Sequence, residues 1–492
     1  MRNLFLIILT LLVIFTQFMT WRLGVLGGDS TGPSIVWVGT LSQDKPRQVK
    51  RFRAWLKQKG FADFDVRIDA QNRDASKIII QATSGKAGDV FDAYGHQVQQ
   101  FKEIGILKGF EKGELASLSG VPDEERFTPY LPNTDRGGKE YAIPFHISCD
   151  GLLVNYDVFR RFGIEAPRMD WDFAAFESIG RAFIKKANAN PNRPTYFFVN
   201  NLGVLTPIRS RGISIFNETM TASALGRDQK LEALISLFLK WTYDDHILPT
   251  AADLSSLAQE DSGFNQPAWQ LFAKGHFALI SGSRYILMPL REVKCSNELG
   301  AVLPPNGGYP NSVVSARFLV VYEGTPHLEE AREFAAYLRT EDYNRQIIEG
   351  GDNLPPIPKY LDSESYLRPA DHKNEWRLNA GFREAALTYG IAGEDTPFAI
   401  TLNCEKIVSR QWDAALGRSA TPEEAVALMR SKIDKEISSY VKRHPEKKEA
   451  YLAALERQKK IDSLRAAGKK IPLALVDNVF LKRYYKDRGL GE

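Results

Sequence analysis

SIVWVG at residues 34–39 opens the stretch that decides the fold; KPRQVKRFRAWLKQK follows at 45–59, DVRI at 65–68, and IIIQATSGKAGDVFDAYGHQVQQFKEIGIL at 78–107. The first segment is apolar and β-branched, as a short buried strand must be. In the second, Val49, Phe52, Trp55 and Leu56 share one helical face. Val66 and Ile68 alternate in a second strand, Lys77–Ala82 belongs to a second helix, Asp89–Phe91 starts a third strand, and Val98–Leu107 forms a third helix. Strands alternating with helices at short spacing predict an α/β fold with a parallel sheet.

The pattern continues outward. Strands are predicted at Ile143–Pro144, Gly151–Val154, Thr195–Val199, Phe277–Ile280 and Ser315–Val321. Helices are predicted at Asn155–Phe162, Trp171–Ala187, Leu231–Thr242, Leu328–Leu338 and Thr421–Val441, the last opened by the capping box Thr421-Pro422-Glu423-Glu424. Residues 350–397 carry Pro355, Pro356, Pro358 and Pro369 and read as surface loop and short helix. Residues 446–466 read as an exposed charged helix, and 468–492 show little periodicity.

Composition narrows the class. With 492 residues, 43% of them hydrophobic and 25% charged, the chain is neither disordered nor a polytopic membrane protein. Cys149, Cys295 and Cys404 lie far apart, so no disulfide framework and no CxxC motif exists. The formal charge of +4 is unevenly spread: residues 442–492 hold fourteen Lys and Arg against seven Asp and Glu, a net of +7, which leaves −3 for residues 1–441. A slightly acidic body argues against nucleic-acid binding. Residues Leu4 to Trp21 contain no charge and follow Arg2, the arrangement of an export signal. The stretch is also long enough to span a bilayer, so residues 1–27 form either a cleaved signal peptide or an N-terminal membrane anchor. No P-loop, GxGxxG, GxSxG or HExxH motif occurs, and the histidines are scattered singly; no catalytic residue, metal site or cofactor is expected.

Six segments, in order, resemble the sugar-binding family of extracellular solute-binding proteins of ABC importers, the maltose-binding protein type. They are SIVWVG with its helix, the 78–107 stretch, GGKEYAIPFHISCDGLLVNYDVFRRFGIEAP (137–167), LFAKGHFALISGSRY (271–285), the 328–357 helix and turn, and GRSATPEEAVALM (417–429). The resemblance covers roughly residues 33–441. It implies a two-lobed periplasmic-binding-protein-like fold of type II with a hinge, plus an N-terminal hydrophobic helix and a basic C-terminal tail (442–492). One lobe is expected to hold 33–144 and 280–318, the other 148–275 and 325–441, with crossings near 144–148, 276–282 and 317–324. It further implies a non-enzymatic, monomeric receptor outside the cytoplasm, periplasmic or extracytoplasmic, tethered to the inner membrane if residues 4–21 are retained. Its partners would be a carbohydrate and the ABC permease subunits.

Ligands of open α/β sheets bind beyond the carboxyl ends of strands. Sugars need polar partners for hydroxyls and an aromatic ring for their C–H face. Loop positions supply Thr40, Ser42 and Asp44 after the first strand, and Asp92, Tyr94 and His96 after the third. Ser148 and Asp150 stand at the first crossing, Asn200 and Asn201 follow the Thr195–Val199 strand, Ser283, Arg284 and Tyr285 lie around the second crossing, and Asn403 lies near the last helices. The ligand-binding set expected is Thr40, Asp92, Tyr94, Asp150, Asn201, Arg284, Tyr285 and Asn403; by position, Tyr94, Asn201, Arg284 and Asn403 are those the family resemblance points to. Trp37, inside a strand, is expected in the core. Two rival readings stand beside this one. An envelope glycan-processing enzyme would use two carboxylates across a cleft, such as Asp92 and Asp150. The same receptor fold could instead take a peptide or polyamine. The +7 tail is read either as a solvated appendage or as a contact for anionic lipid or an acidic permease face.

Overall fold

The computed structural model describes residues 34–492 apart from 41–44, 62–63, 126, 128–134, 137, 191–195 and 261–267. The apolar segment 4–21, Ser42 and Asp44 lie outside the described residues. Among the described residues no helix is long and apolar enough to cross a membrane.

Strands β1 (Ser34–Val38), β2 (Asp65–Asp69), β3 (Val90–Tyr94), β4 (Ile143–Cys149), β5 (Gly151–Asn155), β6 (Phe197–Val199), β7 (Phe277–Gly282), β8 (Leu299–Val302), β9 (Ser312–Val321) and β10 (Gly390–Ala392) form two sheets. The first has the order β10-β9-β3-β1-β2, with β4 also paired to β9; the second has the order β8-β5-β7-β6. β1, β2 and β3 are parallel, as the opening stretch predicts. β9 runs antiparallel to β3 and β4, and β5 antiparallel to β7 and β8, so both sheets are mixed.

Helices α1 (Lys45–Gln58), α2 (Ala75–Thr83) and α3 (Gly95–Ile104) link the first strands. Phe52 and Leu56 of α1 are buried with Ile35 and Trp37 of β1 and Phe334 of the Leu328–Tyr337 helix. Trp37 is therefore core, as expected. The second lobe closes around Phe176, Phe183, Phe198, Phe238 and Trp241.

Strand pairing redraws the expected lobe boundaries. β7 pairs in register with β5 from Leu279 to Gly282, and β8 with β5 from Leu299 to Val302, so 277–302 belong to the second sheet rather than the first. The Leu328–Tyr337 helix packs on the first sheet instead, because Phe334 and Ala335 complete the core under Trp37. The chain passes between lobes between β4 and β5, between β8 and β9 (303–311), and after β10.

The 350–397 region is less superficial than its prolines imply. Within it α4 (Trp376–Thr388) buries Leu378, Asn379, Phe382, Ala385 and Ala386. Gly381 lets α4 lie flat on β8, since a Cβ there would overlap the Ala301 carbonyl oxygen.

Helices α5 (Thr401–Leu416) and α6 (Pro422–Arg443) pack against the Lys230–Tyr243 helix of the second lobe. Beyond them, α7 (Lys448–Ala466) and α8 (Val479–Asp487) fold back as an ordered unit. Ile461, Ile471, Val476, Phe480 and Leu481 make a small core with Tyr309 and Ile391. Asn478 caps α8 through its side-chain oxygen, while its Nδ2 donates to Ser214 Oγ at 2.8 Å and Glu394 Oε2 at 3.1 Å. Buried Glu218 accepts from Tyr485 Oη at 2.6 Å, Gln458 Nε2 at 2.7 Å and Arg465. The final fifty residues are thus not a loose solvated end.

Candidate functional site

In the middle of β3, two residues before its carboxyl end, Asp92 is held from three sides. Its Oδ1 accepts from Trp37 Nε1 at 2.6 Å, and its Oδ2 accepts from the Thr40 backbone N–H at 3.2 Å and Lys45 Nζ at 3.1 Å. The Lys45 ammonium also lies 3.5 Å from the Trp37 ring centroid. Gly39 is required here, because a Cβ would overlap Asp92 and Lys45. Burial pushes the Lys45 amine down to about 8, and the attraction of Asp92 only partly offsets it. Sequence reading missed Lys45, since the first residue of a charged amphipathic helix looks like surface. The signal was Asp92 itself: a carboxylate in an apolar strand requires donors.

Two aromatic rings stand near this anchor. Tyr94, 48% exposed, carries the Arg317 guanidinium 5.3 Å from its ring centroid. Arg317 Nη2 also donates to Thr40 Oγ1 at 2.6 Å. Tyr285, 45% exposed, projects from the turn after β7. A cavity of about 420 Å³ is lined by Thr40, Lys45, Asp92, Tyr94, Tyr285 and Arg317 among others. His146, Ser148, Asp352 and Asn353 also line it. A groove of about 780 Å³ shares Thr40, Asp92, Tyr94 and Arg317 with it and reaches Ile400 and Leu402 beside α5. The continuous cleft thus draws residues from both lobes. Such mixed aromatic and polar lining can stack a ring and hydrogen-bond its substituents.

His146 Nε2 lies 3.1 Å from Asp352 Oδ2. Burial holds the His146 pKa below its usual value in spite of the raising influence of Asp352. Arg317, His146, Asp352 and Asn353 were not among the expected residues. β9 reads from sequence as a core strand, and nothing in its pattern marks Arg317 as facing a cleft.

Thr40, Asp92, Tyr94 and Tyr285 are brought together by the structure; four other expected residues are not among those lining the cleft. Arg284 is fully buried, with Nε donating to Asn379 Oδ1 at 2.8 Å and Nη1 to the Asp352 carbonyl at 2.6 Å. It ties the turn after β7 to α4 and to the 348–353 segment, a structural task. Asn201 accepts from Gly203 N–H at 3.1 Å in an exposed turn. Asn403 donates to Glu436 Oε1 at 2.9 Å, joining α5 to α6. Asp150 stands at the first crossing and accepts from Thr206 Oγ1 at 3.3 Å. Its side chain keeps contact with solvent, yet surrounding protein raises its pKa to about 6, Thr206 and Arg209 working against the rise. Among the described residues no His, Cys, Asp and Glu cluster suits a metal ion.

Residues 48–374 match the family described as bacterial extracellular solute-binding protein. A binding protein of Brucella abortus is 22% identical over 278 residues, 54% of this chain and 64% of the relative, so the chain spans less than two thirds of that relative's length. The melibiose/raffinose/stachyose-binding protein MelE of Bacillus subtilis is 20% identical, covering 68% of this chain and 79% of that one. Among solved structures, the Listeria monocytogenes ABC substrate-binding protein in complex with cycloalternan superposes with a TM-score of 0.66 at 19% identity, over 82% of this chain and 99% of that one. The sugar-binding protein MalE of Xanthomonas citri gives a TM-score of 0.65 at 14% identity, over 82% and 98%. These likenesses show the two-lobed fold, and the family match, extending over well more than half of the chain, settles membership: the protein belongs to the bacterial extracellular solute-binding proteins.

Proposed function

We propose that this protein is the receptor component of an ABC importer, capturing a carbohydrate between its lobes and delivering it to the permease. The observation that carries the reading is the pair of exposed rings, Tyr94 and Tyr285, at one cavity whose rim is polar. An aromatic face matches the C–H face of a sugar, and Arg317, Asn353, Ser148 and Asp352 supply hydroxyl partners. MelE and the structural neighbours, whose names or complexes include sugars, support the same ligand class. Closure of the lobes would bury the ligand, and ligand can favour the closed state only through contacts made there. The receptor would act as a monomer outside the cytoplasm, held at the membrane if the 4–21 segment is retained.

The enzyme reading loses one of its two carboxylates. Both Asp92 oxygens are already engaged by Trp37, Thr40 and Lys45, which leaves neither placed for proton transfer to a substrate. A thermal-shift screen over oligosaccharides, peptides and polyamines tests the proposal. A ligand at one hundred times its Kd stabilises by about 2.7 kcal/mol. Stabilisation by a sugar that is recovered unchanged is the expected result. Consumption of the sugar, or stabilisation by a peptide or polyamine alone, would overturn it.

A further inference from the structure

At the start of the C-terminal extension, a contact reaches across to helix α3 of the first lobe. Glu103 lies on α3, which packs on the first sheet. Its Oε2 accepts from Tyr440 Oη at 2.8 Å, and its Oε1 accepts from Lys447 Nζ at 2.6 Å. Tyr440 lies in the last turn of α6, whose Ile433 and Ile437 are buried in the second-lobe core, and Lys447 directly precedes α7. His444 stacks on the Tyr440 ring with centroids 4.2 Å apart, fixing the phenol. Cavities of about 280 Å³ and 170 Å³, both lined by Gln99 and Glu103, flank this contact. Hydrogen bonds to Glu103 therefore span an open seam between the lobes instead of capping a packed interface.

The rest of the extension is fixed to the second lobe and to the segments that pass between the lobes. Thr219 N–H donates to Gln458 Oε1 at 3.2 Å, and Tyr451 Oη donates to the Thr221 carbonyl at 3.3 Å, so α7 moves with the second lobe. α8 grips the segments that pass between lobes: Tyr309 Oη donates to Asp487 Oδ2 at 2.8 Å, Arg488 donates to the Gly308 carbonyl, and Ile391 of β10 is buried against Phe480. A body that is rigid with one lobe, seated on two crossings and bonded to the other lobe constrains rotation about those crossings.

We propose that Tyr440 of α6 and Lys447 of the C-terminal extension form a latch on Glu103 that holds the two lobes closed before any ligand arrives. The latch raises the population of the binding-competent state, and apparent affinity scales with that population. It is independent of which solute binds.

The test uses the full chain without ligand. In a Cys295→Ser background, spin labels are placed at the exposed positions Lys77 on α2 of the first lobe and Arg410 on α5 of the second, and the interlabel distance distribution is measured by electron–electron double resonance. The unaltered latch should give one dominant short distance. Glu103→Gln, and separately the pair Lys447→Met with Tyr440→Phe, should lower the closed-to-open ratio about tenfold, equivalent to about 1.4 kcal/mol. Thermal unfolding of each variant establishes that both lobes remain folded. An already open distribution with the latch intact would overturn the proposal. So would an unchanged distribution in both folded variants.

Discussion

Asp92→Asn is the substitution whose consequence can be worked furthest. Asp92 and Lys45 form a pair 3.1 Å apart with both side chains 5% exposed. Removing one partner of such a pair leaves the other charge buried and uncompensated, at a cost of about 3–5 kcal/mol. The pH dependence identifies the mechanism. Lys45 already has its folded pKa lowered to about 8, so between about 8 and its unfolded value the unfolded chain binds more protons and stability rises with pH. Without Asp92 the raising influence is gone and the amine titrates lower still. Below the variant's own pKa the amine is charged in both proteins, and the lost attraction is felt in full. Above about 8 it is neutral in both, and the charge–charge part of the difference vanishes. Urea unfolding of both proteins from pH 6 to pH 9.5 should therefore show a stability gap that is largest at the acidic end, shrinks as pH rises toward about 8 and is level above it. A pH-independent gap, or one under about 1 kcal/mol at pH 6, would refute the reasoning.

Three further outcomes follow from packing. Gly381→Ala forces a methyl into the Ala301 carbonyl oxygen and should cost about 1–3 kcal/mol by overpacking, read as a lower Tm. Phe480→Ala empties the small core around Tyr309 and Ile391 and should cost about 3–5 kcal/mol. Because α7 and α8 are joined to the second lobe through Glu218 and Asn478, that loss should appear in the main unfolding transition; a separate early transition of the extension would contradict the account. Arg284→Met leaves the Asp352 carbonyl and Asn379 without their buried donor, and a loss of at least about 2–3 kcal/mol is expected in chemical denaturation, with solute affinity affected only through folding.

The lobed architecture was legible because buried parallel strands are short apolar runs, and SIVWVG, DVRI and DVFDAY lie at the spacing that helices must bridge. Lobe membership was less legible. Which sheet β7 and β8 join depends on pairing with β5, more than 120 residues earlier, and no local pattern encodes it. α4 escaped notice because WRLNAGFREAALT has a narrow apolar stripe and sits among prolines. Residues 468–492 looked aperiodic because their core is assembled from single side chains that find Tyr309 and Ile391 elsewhere in the chain. In the cleft, the rule that loops at strand ends carry the polar residues selected Thr40, Asp92, Tyr94 and Tyr285, which line one cavity. The same rule misassigned Arg284, whose neighbours in sequence resemble theirs but whose side chain turns inward to carbonyl groups.

The measurement that bears most directly on the central claim is calorimetric titration of a sugar that stabilises the protein, into the unmodified chain and into the Tyr94→Ala, Tyr285→Ala double variant. Losing two stacking faces, each worth about 0.5–1.5 kcal/mol beyond the apolar area it buries, should weaken binding about tenfold to a hundredfold or more. Equal affinity in the two folded proteins would place the ligand elsewhere and contradict the assignment of this cleft.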